Sequence, residues 1–258
     1  MAIIKKFRIK SFKEQKTFVE LEKISMFYNK RQILNNISLK INQSEVLGLL
    51  GPNGVGKSTI FKIINGLEDP SYGKVLIDGS DCTNMPIYER ATKFRLGYVP
   101  QHGGFIQDLT LLDNLKLVGE IHIKKKDIRQ ARIEKIVSQF DFDSILNIKA
   151  IHLSGGQRKR LVIAMSLIND PKVLLLDEPF AALDILTIKM LQEVIVNLQS
   201  IERITVVVCD HQARDLLTCV DRAIVLSDGK IIASGSPSEI IKDTGAKSAY
   251  FGDEFKIN

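Results

Sequence analysis

Residues 51–58 read Gly51-Pro-Asn-Gly-Val-Gly-Lys-Ser58, between the apolar run Val46–Leu50 and a helical pattern over residues 59–64. A glycine-rich loop that joins a strand to a helix is the setting of a phosphate-binding loop. Its glycines allow backbone N–H groups to turn toward phosphate oxygens, and the helix N-terminus adds partial positive charge. The pattern therefore predicts a site for the phosphates of a nucleotide. Its predicted members are Gly51, Pro52, Asn53, Gly54, Val55, Gly56, Lys57, Ser58 and Thr59.

Three residues at the end of this loop have predicted chemical roles. Lys57 is expected to contact the β- and γ-phosphates as a catalytic cation, and Ser58 has the hydroxyl that would ligate Mg²⁺. Thr59 is expected near the α-phosphate. The alternative is a glycine-rich turn with an incidental lysine, which the flanking strand and helix disfavour.

A pair of carboxylates follows a second apolar strand, Val173–Asp177. Ligands of open α/β sheets bind at the carboxyl ends of the strands, where Asp177 and Glu178 fall. Asp177 is expected at the magnesium ion, and Glu178 is the candidate general base that polarises the attacking water. A solvated acidic pair is the alternative, and the phosphate loop argues against it.

Strand-like runs alternate with helical patterns from residue 19 onward, which indicates an α/β fold with a largely parallel sheet. The clearest strands are predicted at Val46–Leu50, Leu96–Val99, Val173–Asp177 and Thr205–Cys209. Strand signals stop between residues 101 and 153, where residues 127–140 have helical spacing. We expect an inserted helical subdomain at about residues 102–165, and a hairpin over residues 224–234.

Composition sets limits on the class of protein. The chain has 258 residues, 45% of them hydrophobic, but no apolar run near the roughly 20 residues that span a bilayer. Residues 1–18 form a basic extension without the apolar core of a secretory signal. We therefore expect a cytoplasmic protein whose membrane association is peripheral. The net charge of +6 would suit nucleic acid or anionic lipid, or simply solubility.

The segment Leu153-Ser-Gly-Gly-Gln157 resembles the signature sequence of ABC ATPases and stands before the Asp177-Glu178 strand, as it does in them. The resemblance covers residues 19–258. It implies a P-loop NTPase fold of the ABC ATPase type: a mixed, mainly parallel sheet core, an antiparallel β subdomain and an inserted helical subdomain. It also implies a head-to-tail homodimer that holds two ATP molecules. In it Ser154, Gly155, Gly156 and Gln157 would complete the partner subunit's site.

Four more positions match this family in order. Gln101, also a candidate ATP-binding residue, resembles the glutamine that senses magnesium, water and the transmembrane partner. Asp184 resembles the residue that couples the two sites of a dimer. His211 resembles the catalytic histidine that contacts the γ-phosphate, and Tyr28 the aromatic that stacks on adenine. Three of them have a plainer alternative: a strand-end glutamine for Gln101, a structural histidine for His211 and a packing residue for Tyr28.

Within the family, the chain is most similar to lipopolysaccharide-export ATPases. The similarity lies in Asp177-Glu-Pro-Phe-Ala181, in Asp210-His211 with Arg214 and Leu217, and in Tyr250-Phe-Gly-Asp-Glu-Phe255. It implies an ATPase, with ATP and Mg²⁺ as cofactors, that drives separate transmembrane permease subunits at the inner membrane and binds no nucleic acid. The alternatives are a branched-chain amino-acid or other nutrient importer, and a soluble ABC ATPase that acts on nucleic acid. Gln157 and Ile185 depart from the usual glutamate and proline.

A contact site for the membrane partner is expected after Gln101. The apolar side chains there would either receive a short helix of the partner or form the subdomain's own core. They are Phe105, Ile106, Leu109 and Leu112.

Overall fold

A computed structural model describes residues 16–252, which fold around two β-sheets. The strands are β1 (Thr17–Tyr28), β2 (Arg31–Asn42), β3 (Val46–Leu50), β4 (Tyr72–Ile77), β5 (Ser80–Asp81), β6 (Leu96–Val99), β7 (Val173–Asp177), β8 (Thr205–Cys209), β9 (Arg222–Ser227) and β10 (Lys230–Gly235). The helices are α1 (Lys57–Asn65), α2 (Ile87–Phe94), α3 (Leu111–His122), α4 (Lys126–Gln139), α5 (Gly155–Leu167), α6 (Ile185–Ser200), α7 (Ala213–Cys219), α8 (Pro237–Lys242) and α9 (Thr244–Ala246).

The larger sheet has the strand order β10-β9-β3-β8-β7-β6. Its neighbours pair in parallel except for the β9–β10 hairpin. β3, β7 and β8 are buried along their whole length, because helices cover both faces of a parallel sheet. This burial explains their unbroken apolar runs. All four predicted strands occur with the expected bounds, and the predicted fold class is confirmed.

The smaller sheet is antiparallel, with the order β2-β1-β4-β5. Its apolar face shares one hydrophobic core with α1, through residues such as Leu21, Ile37 and Phe61. The helix that follows the phosphate loop therefore shares a hydrophobic core with this sheet. β1 begins at Thr17 and buries Phe18, two residues that the sequence assigned to the basic extension 1–18. Residues 1–15 of that extension lie outside the described residues. Residues 253–255 of the terminal motif also lie outside them.

The chain between β6 and β7 is helical, and α3, α4 and α5 occupy residues 111–167. These helices pack on one another through Leu115, Ile133, Ile136 and Leu161, all nearly inaccessible to solvent. The helix expected over residues 127–140 is α4. The β pairing within residues 101–153 of the described chain is an isolated antiparallel bridge between Thr110 and Lys149.

The apolar residues expected to meet a membrane partner divide into two groups. Phe105 and Leu112 are partly buried and pack against the core of the helical region. Ile106 is 47% exposed, and Leu109 is half-buried. The structure thus assigns two of the four to the subdomain's own core and leaves Ile106 open to solvent.

Between residues 16 and 252, no helix combines the length and the apolar character needed to cross a bilayer.

Candidate functional site

The phosphate loop (residues 51–58) joins the carboxyl end of β3 to α1, as the sequence predicts. Lys57 begins α1, and only 5% of it is exposed. Its Nζ donates hydrogen bonds to the main-chain oxygens of Gly51, at 2.7 Å, and Pro52, at 3.0 Å. The ammonium group is therefore held inside the curve of the loop. Pro52, Asn53 and Gly54 form its exposed rim.

Two glycines allow the loop to lie close to its neighbours. Gly51 has φ +150°, and a Cβ there would lie 2.5 Å from the main-chain oxygen of Leu226 in β9. Gly56 has φ +111°, and a Cβ would lie 2.5 Å from a methyl group of Leu34 in β2. A side chain at either position would push the loop away from the sheets that position it.

Asp177, at the end of β7, collects hydrogen bonds from three side chains. Its Oδ1 accepts from Ser58 Oγ at 3.1 Å and Cys209 Sγ at 2.7 Å, and its Oδ2 accepts from the Tyr98 hydroxyl at 3.3 Å. Burial, and then the charge of Asp177, raises the pKa of Tyr98, so its hydroxyl remains a donor at neutral pH. Burial likewise raises the pKa of Cys209. Asp177 is thus a buried, fixed carboxylate beside the phosphate loop.

The donor set at this point fits a magnesium ion, which prefers oxygen ligands. The Ser58 hydroxyl and the Asp177 carboxylate lie within hydrogen-bonding distance of each other. Gln101 adds an amide oxygen to this set, and its amide nitrogen bonds Glu178. These three residues are the predicted metal ligands.

Glu178 lies at a sharp turn after β7. Its φ is +47°, and its N–H donates to the Cys209 main-chain oxygen at 2.8 Å. Gln101 Nε2 donates to Glu178 Oε2 at 2.6 Å, and His211 Nδ1 lies 3.6 Å from the same oxygen. The carboxylate therefore stands between an amide and an imidazole at the sheet edge. The His211 side chain is 41% exposed, so this edge is open to water.

The backbone at His211 is fixed from two sides. Asp210 is fully buried and accepts N–H bonds from Phe180, at 3.0 Å, and Gln212, at 2.9 Å. Burial raises the pKa of Asp210. The Tyr250 hydroxyl donates to the His211 main-chain oxygen at 2.6 Å, and burial raises the pKa of Tyr250 to about 12. The described part of the terminal motif therefore packs against the histidine segment.

The signature segment (residues 153–157) begins α5 with a complete capping box. Ser154 Oγ accepts from the Gln157 N–H at 3.2 Å, and the Gln157 side chain accepts from the Ser154 N–H at 2.8 Å. A Cβ on Gly155 would meet nothing within 4 Å, whereas one on Gly156 would lie 2.8 Å from Thr187. Within the described chain, no hydrogen bond joins this segment to the phosphate loop.

Asp184 caps the neighbouring helix α6. Its carboxylate accepts from the N–H groups of Leu186 and Thr187, each at 3.0 Å, and from the Thr187 hydroxyl at 2.6 Å. The Gly156–Thr187 contact places this cap directly beside the signature segment.

Tyr28 is the last residue of β1, and its side chain has a polar contact with Thr59 in the first turn of α1. It is 39% exposed, and its hydroxyl donates to Glu68. The ring is therefore accessible while its hydroxyl is anchored.

The chain matches a known family over more than half of its length. The sequence profile described as "ABC transporter" matches residues 34–181. This chain belongs to the ABC transporter ATP-binding family. As an ABC ATPase, it binds and hydrolyses ATP.

Two curated relatives of this ABC ATPase are named lipopolysaccharide export system ATP-binding protein LptB. LptB of Haemophilus influenzae is 36% identical over 240 residues, which cover 92% of this chain and 98% of the relative. LptB of Escherichia coli K12 is 34% identical over 231 residues, or 89% of this chain and 95% of the relative.

Solved ATP-binding cassettes have the same fold. An ABC transporter cassette in its ADP conformation superposes with a TM-score of 0.82 at 26% identity, covering 92% of this chain and 99% of that chain. A dimeric cassette in a post-hydrolysis state, bound to ADP and Pi, gives 0.75 at 30% identity, covering 85% and 98%.

Sequence reasoning about this ABC ATPase missed the residues that support the predicted ones. Tyr98 and Cys209 hold Asp177, and Lys159 Nζ donates to the main-chain oxygen of Gln101 at 3.1 Å. A signal for Cys209 was present, because Asp177 and Cys209 end adjacent parallel strands and pair in register. Lys159 lay in a helical pattern that gave no sign of its contact with Gln101.

Proposed function

We propose that this ATPase powers the export of lipopolysaccharide, extracting it from the inner membrane through separate transmembrane subunits. Support comes from relatives named for that export system, which align over 92% and 89% of this chain at 36% and 34% identity. A nutrient importer is not favoured by these relatives. The chain would act at the cytoplasmic face of the inner membrane as a peripheral subunit, with no role in binding nucleic acid.

The observation that carries the proposed chemistry is the arrangement of Gln101, Glu178 and His211. Glu178 accepts a proton from the attacking water as general base, while Gln101 and His211 orient the water and the γ-phosphate. The 2.6 Å bond from Gln101 and the 3.6 Å approach of His211 support these roles. Gln101 holds the carboxylate at the sheet edge where the phosphate loop begins, and His211 lies beside it.

The remaining ATP contacts follow the same edge. Lys57 binds the β- and γ-phosphates, the loop N–H groups bind phosphate oxygens, and Tyr28 stacks on adenine. Mg²⁺ held by Ser58, Gln101 and Asp177 would neutralise phosphate charge. The buried Asp177 carboxylate, fixed by neighbouring donors, supports its place in this set.

A homodimer would complete the site. The signature segment lies at an exposed helix N-terminus, where backbone N–H groups and the helix dipole attract anions. In a head-to-tail pair, Ser154, Gly155, Gly156 and Gln157 of one copy would bind the ATP of the other. Asp184, beside Gly156 through Thr187, would couple the two sites. The dimeric state of a related cassette supports this arrangement.

Partner identification is the decisive experiment. A tagged version of the chain is purified from detergent-solubilised membranes of its natural host, and the co-purifying proteins are identified by mass spectrometry. We expect export-type permeases with periplasmic jellyroll domains. Recovery of multi-span importer permeases would instead assign the chain to nutrient uptake, with the ATPase chemistry unchanged.

A further inference from the structure

The two aromatic residues that end β1 are held by the segment that follows α1. The Phe27 N–H donates to Ser71 Oγ at 3.0 Å. The rings of Phe27 and Tyr72 meet edge to face, with centroids 6.2 Å apart and an interplanar angle of 87°. The Tyr28 hydroxyl donates to Glu68 Oε2. Residues 68–72 thus fix this corner of the β subdomain through backbone, ring and hydroxyl contacts.

Glu68 is itself tied to α1. Lys62 Nζ, in the last turn of the helix, bonds Glu68 Oε1 at 2.9 Å. The main-chain oxygen of Lys62 accepts from the N–H groups of Leu67, at 2.9 Å, and Glu68, at 3.4 Å. Burial acts to raise the pKa of Glu68, but the hydrogen bonds from Lys62 and Tyr28 outweigh it and lower that pKa. The carboxylate is therefore charged at neutral pH and has a defined place at the end of the helix.

The same helix carries the phosphate-binding residues at its other end. Lys57 and Ser58 occupy the first turn of α1, and Lys62 lies in the last. A helix of nine residues is about 13 Å long and behaves as a rigid rod. The Tyr28 hydroxyl also has a polar contact with Thr59 in the first turn of α1. The Lys62–Glu68–Tyr28 chain of contacts therefore adds a second link, through the last turn, between the tyrosine ring and the helix that carries the phosphate loop.

We infer that Glu68 is a positioning residue for the nucleotide base, which holds the Tyr28 ring at a set distance from the phosphate loop. The inference rests on the proposed stacking of adenine on Tyr28. Glu68 acts on the ring and not on the nucleotide. An exposed aromatic ring would otherwise lose rotational freedom when a base stacks on it, and this loss weakens binding. A charged acceptor on the hydroxyl restricts the ring before the base arrives.

The test separates binding of the base from binding of the phosphates. Glu68→Ala and Tyr28→Phe are compared with the unaltered protein by calorimetric titration with β,γ-imido-ATP and with inorganic tripolyphosphate, both in magnesium buffer. Each variant loses the anchor while keeping the ring. We expect each to weaken the ATP analogue about three- to tenfold, which is the effect of one hydrogen bond. Tripolyphosphate affinity should stay within about twofold. Because Tyr28→Phe also removes the polar contact of the hydroxyl with Thr59, the double variant should be no weaker than Tyr28→Phe alone.

Glu202→Ala is a matched control. Like Glu68, Glu202 accepts hydrogen bonds from a lysine and from a neutral donor, here Lys135 at 3.4 Å and the Gln139 amide at 3.0 Å. Its side chain is 16% exposed, against 25% for Glu68. It should leave both affinities unchanged. Equal losses for both ligands in Glu68→Ala, with Tyr28→Phe unaffected, would overturn the inference, because Glu68 would then be supporting α1 alone.

Two further variants distinguish this inference from the proposed function. If Tyr28→Ala weakens the ATP analogue while Glu68→Ala and Tyr28→Phe do not, the stacking site stands and the positioning role of Glu68 is wrong. If Tyr28→Ala has no effect, base stacking on Tyr28 is wrong and the inference fails with it. If Lys57→Ala leaves tripolyphosphate binding intact, the phosphate-loop assignment fails, whatever Glu68 does.

Discussion

The phosphate loop and the signature segment are both helix N-termini rich in glycine, but they differ in what surrounds them. Next to the loop, Lys57 and Asp177 are about 95% buried. Lys57 bonds main-chain oxygens of the loop, and Asp177 accepts a hydrogen bond from Cys209 at the end of the neighbouring strand β8. In the signature segment, Ser154 and Gly155 are exposed, and the capping box is made by residues of the segment itself. One N-terminus is surrounded by its own chain, and the other faces solvent.

This difference indicates how the two halves of the proposed site are built. The phosphate-loop half holds its groups in place before any ligand arrives, because neighbouring parallel strands end side by side. The signature half is capped by its own residues, and Ser154 and Gly155 are exposed to solvent in the described chain. A second copy of the chain would supply the opposing surface.

Glu178→Gln should have the largest effect. The amide keeps the size of the side chain but cannot accept the proton of the attacking water, so we expect steady-state ATP hydrolysis to fall at least about a hundredfold. ATP affinity should be retained, since the phosphate loop is unaltered. Phosphate release and nucleotide binding are measured on the same purified sample. Hydrolysis near the normal rate would show that Glu178 is not the base.

Gly155→Glu tests the signature half alone. The added side chain has open space, because nothing lies within 4 Å of the position of a Cβ. A carboxylate there would repel the triphosphate bound by a partner copy, so hydrolysis and ATP-dependent dimerisation should fall at least about tenfold. The unfolding temperature and ATP binding by the single chain should be unchanged.

Gly155→Ala is the matched control for this charge. It adds only a methyl group in the same open space, so hydrolysis should stay within about threefold of normal. The dimer fraction is measured by size-exclusion chromatography in the presence of ATP. Each variant is combined with Glu178→Gln, which retains bound nucleotide. Normal dimerisation of Gly155→Glu would mean that the signature segment does not face bound phosphate.

Sequence predicted the regular parts of both halves better than the contacts between them. The strand ends near Asp177 and the capped helix at Ser154 follow from local rules on apolar runs, glycine and capping residues. The supporting contacts of Tyr98, Lys159 and Glu68 do not follow from such rules, because each joins residues that are far apart in the sequence. Lys159, for example, meets an oxygen 58 residues away.

Lys159→Met tests the link between the two halves. Lys159 lies on α5, which begins with the signature segment, and its Nζ bonds the main-chain oxygen of Gln101. Without that bond Gln101 should orient Glu178 less well, so we expect kcat to fall about three- to tenfold while the KM for ATP changes little. Lys159→Arg keeps a donor and should recover part of kcat. A change confined to KM would contradict the link.

Tyr98→Phe should have the smallest effect, because Asp177 retains its bonds from Ser58 and Cys209. Loss of the 3.3 Å hydroxyl contact should raise the Mg²⁺ concentration for half-maximal activity about two- to fivefold, with kcat at saturating Mg²⁺ nearly unchanged. Mn²⁺ binding in the presence of ATP, followed by electron paramagnetic resonance, should weaken by the same factor. Tyr88→Phe, at a residue that is 68% exposed, is the control and should change neither quantity.

The effect of Tyr98→Phe should not depend on pH. Since the pKa of Tyr98 is raised, its hydroxyl stays protonated up to about pH 9, and the ratio of half-maximal Mg²⁺ concentrations between variant and normal protein should not vary below that pH. A fall in kcat at saturating Mg²⁺ would instead assign Tyr98 to the reacting groups themselves, and the phosphate-loop half would then depend on more than a fixed carboxylate.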